Sequence, residues 1–239
     1  MAQKHFIETL SGYVYSVVDE SDDRLRGRMR SVDDYWELRR LTSGCLPSFA
    51  FMELSLDFPE EVYNHPLLEK LRDCATLAIS AGNDIYSFNM ERARGHDLHN
   101  IVTVTMNETQ LDLQPALDYL GGWYEKDVVS AFLAAERAVR EELFPTLSED
   151  IVRQLNYYIN GLGDWVRGCD SWHFEGLRHF GVQGVEIQKT RRVQMLPRQA
   201  RDMLAGKPGF VETLDAELGI IRDIMHRDRA AGLDIVTRG

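Results

Sequence analysis

Residues 83–91 of this 239-residue chain read NDIYSFNME, and oxygen-bearing side chains recur there at every fourth position. Asn83, Ser87 and Glu91 supply an amide, a hydroxyl and a carboxylate. In a helix, a step of four residues turns the side chain by only about 40°, so these three groups share one face. Hard oxygen donors suit Mg²⁺, which keeps coordination positions for water and phosphate oxygens. The stretch therefore predicts a helix that carries a Mg²⁺ site.

An ordinary helix start would explain the same residues. Asn83 and Asp84 are common N-cap types, and Glu91 would then be a solvated helix residue. The pattern alone leaves both interpretations open, so the sequence around it has to separate them.

Two further blocks flank this stretch: YWELRRLTSG at residues 35–44 and WHFEGLRHFG at residues 172–181. Together with RGHDLHNIV at 94–102, the ordered blocks resemble class I terpene synthases, especially the fungal sesquiterpene cyclases. That family has an Asn/Asp-Asp-x-x-Ser/Thr-x-x-x-Glu metal motif, an Arg-Arg-x-Thr-x-Gly segment, and an Arg-Tyr pair after a tryptophan. The resemblance runs from about residue 1 to about residue 197.

Apolar residues recur with helical period almost throughout, which predicts an all-α chain. The resemblance specifies the fold further, as the C-terminal portion of the class I terpenoid synthase helical bundle. We expect two parts: an N-terminally incomplete terpene synthase-like α-helical domain at 1–197, and a helical tail at 198–239. The predicted helices are at residues 6–18, 67–79 continuing into 83–91, 111–123, 128–143 and 151–166. Residues 103–106 (TVTM) have an ambiguous, strand-like character.

The resemblance implies Mg²⁺ as cofactor and a diphosphate sensor, Arg40, the second arginine of its segment. Ser43 and Gly44 would couple that arginine to a backbone carbonyl facing the substrate. Alternatively, Arg40 forms a surface salt bridge with Glu37 or Asp34, and Gly44 only interrupts a helix.

Arg178 would hydrogen-bond the diphosphate from a later helix, since its planar fork can engage phosphate oxygens in bidentate fashion. His179 replaces the tyrosine of the family pair; it can still donate to diphosphate, but it also titrates near neutral pH. Met90 stands where many relatives have a lysine that contacts diphosphate, so that contact is missing.

Aromatic rings at the site are candidates for cavity walls, where their faces stabilise carbocations. Tyr86, Phe49 and Trp172 are the preferred candidates. Aromatic residues at helical spacing are more often plain core, and we expect one or two of the site aromatics to line a cavity.

The chain departs from the family in lacking the upstream aspartate-rich motif. The match Asp33-Asp34-Tyr35-Trp36-Glu37 lies too close to Arg40 to form the opposite wall, so we interpret it as a coincidental solvated acidic pair. We expect the first helices of the bundle to be absent, which would expose an apolar seam. A second copy of the chain, or a partner that supplies the missing helices, would then cover it.

The net charge of −11 argues against a nucleic-acid partner, since such proteins present basic surfaces. Three widely spaced cysteines indicate neither a disulfide framework nor a zinc site. We see no signal peptide and no apolar stretch of bilayer length, so we expect a cytoplasmic protein without a membrane span.

Three functions compete. The first is a sesquiterpene synthase that ionises and cyclises a prenyl diphosphate, preferably farnesyl diphosphate, with Mg²⁺. The second is a truncated, catalytically impaired relative that binds Mg²⁺-diphosphate or acts through oligomerisation. The third, an acidic helical scaffold without a ligand, would make all three motifs accidental.

Overall fold

The computed structural model describes residues 1–199, and all regular secondary structure in that range is helical. The all-α prediction is therefore confirmed for the described part of the chain. The predicted tail at 198–239 lies, apart from its first two residues, outside the described range. None of the helices within residues 1–199 combines the length and apolar character needed to cross a bilayer.

Eleven α-helices cover most of the described residues. In chain order they are α1 Ala2–Arg26, α2 Val32–Thr42, α3 Cys45–Phe49, α4 Glu60–Tyr63, α5 Pro66–Arg94, α6 Ile101–Thr109, α7 Leu113–Trp123, α8 Ser130–Ala138, α9 Glu149–Glu175, α10 Leu177–Phe180 and α11 Gly184–Thr190. Two π-helical segments flank α8: Tyr124–Val129 and Val139–Leu143. Short 3₁₀ turns are Ala50–Ser55, Asp97–His99, Phe144–Thr146 and Gly181–Gln183.

Helix α5, of 29 residues, contains the 83–91 stretch in its second half. It begins with Pro66 at its first position, where the missing N–H costs nothing, and it ends at Gly95, whose φ of 73° is a left-handed cap. The helix continues unbroken through Gly82. The interpretation of Asn83 and Asp84 as a helix start is therefore wrong, and the predicted helical face exists.

Two separate apolar clusters pack against α5. The first half of α5 contacts α3, α8 and α9 through buried side chains that include Leu68, Leu71, Leu155, Tyr158 and Leu162. The second half contacts α2 and α6 in a cluster that also includes Leu120 of α7; its buried members are Tyr35, Phe88, Ile101, Val102, Val104 and Leu120. Residues 103–106 belong to α6 and form no strand. Because α5 is packed along its whole length, its rotation about its own axis is fixed.

One side of the described bundle presents large apolar side chains to solvent. Phe51, Leu54, Trp165 and Trp172 are 59, 74, 41 and 47% exposed. Next to them is an apolar groove of about 680 Å³, and its lining residues are Met52, Gly161, Asp164, Trp165, Gly168, Cys169 and Trp172. An exposed apolar patch of this kind is typical of a ligand-binding or protein-binding surface.

Residues 191–199 leave α11 without helical structure and lie against α5. The side-chain amide of Asn89 makes two hydrogen bonds to the backbone of this segment. It donates to the carbonyl of Gln194 at 2.9 Å and accepts from the N–H of Leu196 at 2.9 Å. The N–H of Gln199 donates to the carbonyl of Ala93 at 2.7 Å. Asn89 is turned by about 200° from Ser87 and Glu91, so this segment occupies the opposite side of α5 from the predicted metal face.

Candidate metal and diphosphate site

The three predicted metal ligands occupy consecutive turns of one unbroken helix. Asn83 and Glu91 are partly exposed, whereas Ser87 is buried. Their spacing of four residues corresponds to a rise of about 6 Å for each step along the axis. The structure thus brings an amide, a hydroxyl and a carboxylate oxygen onto one face, as the sequence predicts.

The buried carboxylate of Asp84, next to Asn83 in the chain, links α5 to α2 and α6 and so holds the orientation of this face. Asp84 is 2% exposed, and one of its oxygens accepts from Arg39 Nε at 3.0 Å and Nη2 at 2.9 Å. Its other oxygen accepts from the hydroxyl of Tyr35 and from the backbone N–H of Ile101 at 3.2 Å. Burial opposes the charge on Arg39, but the attraction of Asp84 outweighs it and raises the pKa of the guanidinium. Asp84 is therefore saturated by protein donors.

Two neighbouring side chains hold the outer ligands of the triad. Arg39 Nη2 donates to Asn83 Oδ1 at 3.0 Å, and Asn100 Nδ2 donates to Glu91 Oε2 at 2.9 Å. Burial raises the pKa of Glu91, while the hydrogen bond from Asn100 opposes that rise. Ser87 Oγ lies 3.4 Å from the carbonyl of Asp84.

The donor set fits a hard divalent cation. It combines two neutral oxygens with one carboxylate, and such a cation would complete its shell with water or phosphate oxygens. Within residues 1–199, no cluster of three or more His, Cys, Asp or Glu side chains could hold a metal ion. The predicted site has a single carboxylate, so it differs from the metal centres that carboxylates or thiolates alone would form.

Arg40 lies on the exposed side of α2, next to Arg39, whose side chain is only 15% exposed. Its Nη2 atom is 2.5 Å from Asp73 Oδ1 on α5, so its ion pair crosses between helices instead of joining a neighbour on α2. Gly44 separates α2 from α3 with a φ of 71°, and its carbonyl accepts from Ser48 Oγ at 2.8 Å. Ser43 Oγ donates to the carbonyl of Arg40 at 3.1 Å. These contacts tie the arginine to the glycine turn.

Arg178 and His179 are adjacent on α10 but face opposite environments. Arg178 is exposed, with its guanidinium carbon 5.9 Å from the centre of the Trp172 ring. His179 is 7% exposed, and its ring centre lies 4.7 Å from that of His173. Among the described residues, His179 Nε2 and His173 Nδ1 have no hydrogen-bond partner.

Both buried imidazoles resist protonation. Burial lowers the pKa of each to about 4; His173 and Arg178 add to this effect at His179. Asp170 opposes the lowering at His173, but it does not overcome burial. His179 is therefore neutral at pH 7, which differs from the expectation that it titrates near neutrality.

The three preferred aromatic residues have three different environments. Phe49 is 1% exposed and belongs to the first apolar cluster. Tyr86 packs edge-on against Phe174 at 4.8 Å and donates to Asp170 Oδ1 at 2.8 Å. Trp172 is half exposed and lines the apolar groove.

Sequence reasoning missed Arg39 and Asn100 as residues that support the site. Arg39 differs from Arg40 by one step of about 100° around α2, and only the helix packing shows which of the two faces α5. Asn100 belongs to the block at 94–102 that resembles the family, but its contact with Glu91 depends on how α6 folds back onto α5.

Comparison with known proteins shows the family of the chain. The sequence model described as "Terpene synthase family 2, C-terminal metal binding" matches residues 1–128, more than half of the chain. The sesquiterpene synthase Agr9 of Cyclocybe aegerita is 45% identical over 193 residues, covering 81% of this chain and 50% of that protein. A Delta(6)-protoilludene synthase of Stereum hirsutum is 40% identical over 206 residues, covering 85% of this chain and 54% of that protein. The chain thus spans about half the length of these relatives.

Solved structures show the same fold. The crystal structure of a-eudesmol synthase superimposes with a TM-score of 0.66 at 24% identity, covering 73% of this chain and 56% of that one. A point variant of cucumene synthase gives a TM-score of 0.64 at 25% identity, covering 72% of this chain and 57% of that one. The likeness confirms the bundle architecture predicted from the sequence.

The adjacent arginines should differ sharply in their effect on stability. Arg39→Gln removes the partner of a buried carboxylate, so we expect the free energy of unfolding to fall by about 3–5 kcal/mol. Arg40→Gln breaks a half-exposed pair and should change it by about 1 kcal/mol or less. Urea unfolding at pH 7 measures both. Equal losses for the two variants would contradict the buried network.

Stability should fall between pH 6.5 and about 4 because of the buried histidines. In the folded state the pKa of both His173 and His179 lies near 4, while in the unfolded state it is about 6.5. Between these values the unfolded chain binds protons that the folded chain excludes. The contribution of the two histidines to the free energy of unfolding is therefore complete above pH 6.5 and is lost as the pH falls toward 4. The urea midpoint at pH 7.5 and 5.0 measures the slope. His179→Phe should flatten it, whereas His96→Phe, at an exposed position, should not; equal slopes would contradict the assignment.

Proposed function

Since the chain belongs to terpene synthase family 2, we propose that it acts as a class I sesquiterpene synthase. It would ionise and cyclise a prenyl diphosphate, with farnesyl diphosphate as the preferred substrate, and release diphosphate. The names of the relatives in Cyclocybe aegerita and Stereum hirsutum support a sesquiterpene product. The three free thiols of Cys45, Cys74 and Cys169 fit a reducing compartment, so we place the reaction in the cytoplasm.

The observation that carries the proposal is the ordered oxygen face of α5. Asn83, Ser87 and Glu91 would hold Mg²⁺, and two of them already have their side chains oriented by Arg39 and Asn100. Preorganisation of this kind avoids the cost of ordering ligands during binding. A bound Mg²⁺ would supply Lewis-acid stabilisation of the negative charge on the leaving diphosphate.

Two exposed guanidinium groups are the candidate donors to diphosphate. Arg40 would exchange its ion pair with Asp73 for phosphate oxygens, since a half-exposed pair is weakly held. Arg178 is exposed, and its guanidinium lies over the face of Trp172. His179, being neutral, would contribute as a hydrogen-bond donor without a charge. Ser43 and Gly44 form the turn that follows Arg40. A movement of Arg40 on binding diphosphate would therefore shift the backbone carbonyl of this turn relative to the substrate.

The apolar groove supports a hydrocarbon substrate. Its lining is dominated by Met52, Trp165 and Trp172, and Trp172 also contacts the guanidinium of Arg178. We therefore place the prenyl chain in the groove and the diphosphate beyond Trp172. The indole faces would exclude water and stabilise positive charge on the chain.

Calorimetric titration with inorganic diphosphate tests the metal site directly. We expect wild type to bind diphosphate only when Mg²⁺ is present, and Glu91→Ala to weaken that binding at least about tenfold, because the variant removes the anionic ligand. Glu69→Ala, an exposed carboxylate on the same helix, is the matched control and should bind like wild type.

Binding that is independent of Mg²⁺, or unaffected in Glu91→Ala, would reject the metal site. Release of a terpene hydrocarbon or alcohol from farnesyl diphosphate and Mg²⁺ then tests the reaction itself.

We further propose that a second copy of the chain covers the exposed apolar side chains of Phe51 and Leu54, and leaves the groove faces of Trp165 and Trp172 to the substrate. Burying these side chains would gain about 25 cal/mol for each Å² removed from water. Light scattering at micromolar concentration should give twice the chain mass of 27.4 kDa. Leu54→Ser should shift the protein toward monomer, while Leu133→Ser on α8, an exposed apolar position away from the patch, should not. A monodisperse wild-type monomer would reject the dimer.

A further inference from the structure

Asn100 is completely buried and lies at the junction between α5 and α6. It is 0% exposed, although its side-chain amide carries donors and an acceptor that need partners. Burying an amide is unfavourable unless its hydrogen bonds are made. A fully buried asparagine next to a partly exposed carboxylate therefore calls for an explanation beyond packing.

Both polar atoms of the Asn100 side chain have partners. Its Nδ2 atom donates to the carbonyl of Asp84 at 2.7 Å and to Glu91 Oε2 at 2.9 Å. Its Oδ1 atom accepts from the N–H of Val102 at 2.9 Å, which caps the start of α6. The amide thus joins the first turn of α6 to two turns of α5.

This geometry restricts Glu91. One carboxylate oxygen, Oε2, is held by Asn100, which leaves Oε1 as the oxygen that a cation could engage. A glutamate side chain has several rotatable bonds, and fixing them costs conformational entropy. The hydrogen bond offsets that cost during folding, before any ligand arrives.

We infer that Asn100 is a positioning residue, which orients Glu91 so that its second oxygen faces the cation beside Asn83 and Ser87. The inference rests on the metal site proposed above. Residues that hydrogen-bond to metal ligands typically change metal affinity by about 10–100-fold when they are replaced. Asn100 touches neither metal nor diphosphate in this arrangement and acts only through Glu91.

The substitution Asn100→Asp separates positioning from capping. An aspartate keeps the acceptor for the N–H of Val102, so α6 retains its cap. It removes both donated hydrogen bonds and places a carboxylate against Glu91. In the 239-residue chain, we expect calorimetry to show at least about tenfold weaker binding of diphosphate in the presence of Mg²⁺.

Asn89→Asp is the matched control. It makes the same isosteric change on α5 itself, adds the same charge, and likewise loses one donated hydrogen bond, to the carbonyl of Gln194. Because Asn89 faces the opposite side of the helix, binding should stay within about threefold of wild type. Equal losses in Asn100→Asp and Asn89→Asp would overturn the inference, as would wild-type affinity in Asn100→Asp.

A metal-free measurement tests the contact independently. Asn100→Asp should lower the melting temperature by at least about 4 °C, because it loses two hydrogen bonds and places an unpaired carboxylate in a fully buried position. Combining Asn100→Asp with Glu91→Gln exchanges the amide and the carboxylate between the two positions, so that they can hydrogen-bond again. The double variant should therefore recover at least about half of the lost melting temperature. Asn89→Asp should show no such coupling to Glu91→Gln.

The two measurements distinguish the possible failures. Absence of coupling in the unfolding cycle would overturn the Asn100–Glu91 contact itself. If the unfolding cycle shows coupling but wild type does not bind diphosphate with Mg²⁺, the proposed metal site is rejected. The Asn100–Glu91 pair would then be only a structural contact between α5 and α6.

Discussion

The architecture of the site depends on one buried negative charge, that of Asp84. A carboxylate that is removed from water must be paired and hydrogen-bonded, or the folded state loses several kcal/mol. Arg39 and Tyr35 from α2 and the N–H of Ile101 from α6 meet this requirement together. Because these donors come from two different helices, they fix the rotation of α5. The direction in which Glu91 points is a consequence of that rotation.

Much of the local structure was predictable because its causes are local. The helical period, Pro66 at the start of α5, and the spacing of four residues between Asn83 and Ser87 all act within a few turns of the chain. These features predicted the all-α fold and the common face of the triad, and the structure has both. Whether the triad binds metal stays a prediction.

The tertiary environment of the site was much less predictable. A helical sequence shows that two neighbours point about 100° apart, but not which one another helix will cover. Arg39 is consequently the less exposed member of its pair and contacts Asp84, while Arg40 reaches Asp73 on another helix. The burial of His179 and Phe49 has the same origin, since their surroundings are assembled from α9 and from segments distant in the sequence.

The end of α5 at Gly95 has an electrostatic consequence. The aligned peptide dipoles of a helix place a partial negative charge at its last turn, equivalent to about half an elementary charge. Glu91 lies in that last turn, and its own carbonyl accepts from the N–H of His96 at 2.9 Å. A cation beside Glu91 would therefore experience the helix dipole as well as the carboxylate. The backbone of α5 adds to the field of a site that has only one formal negative charge among its three ligands.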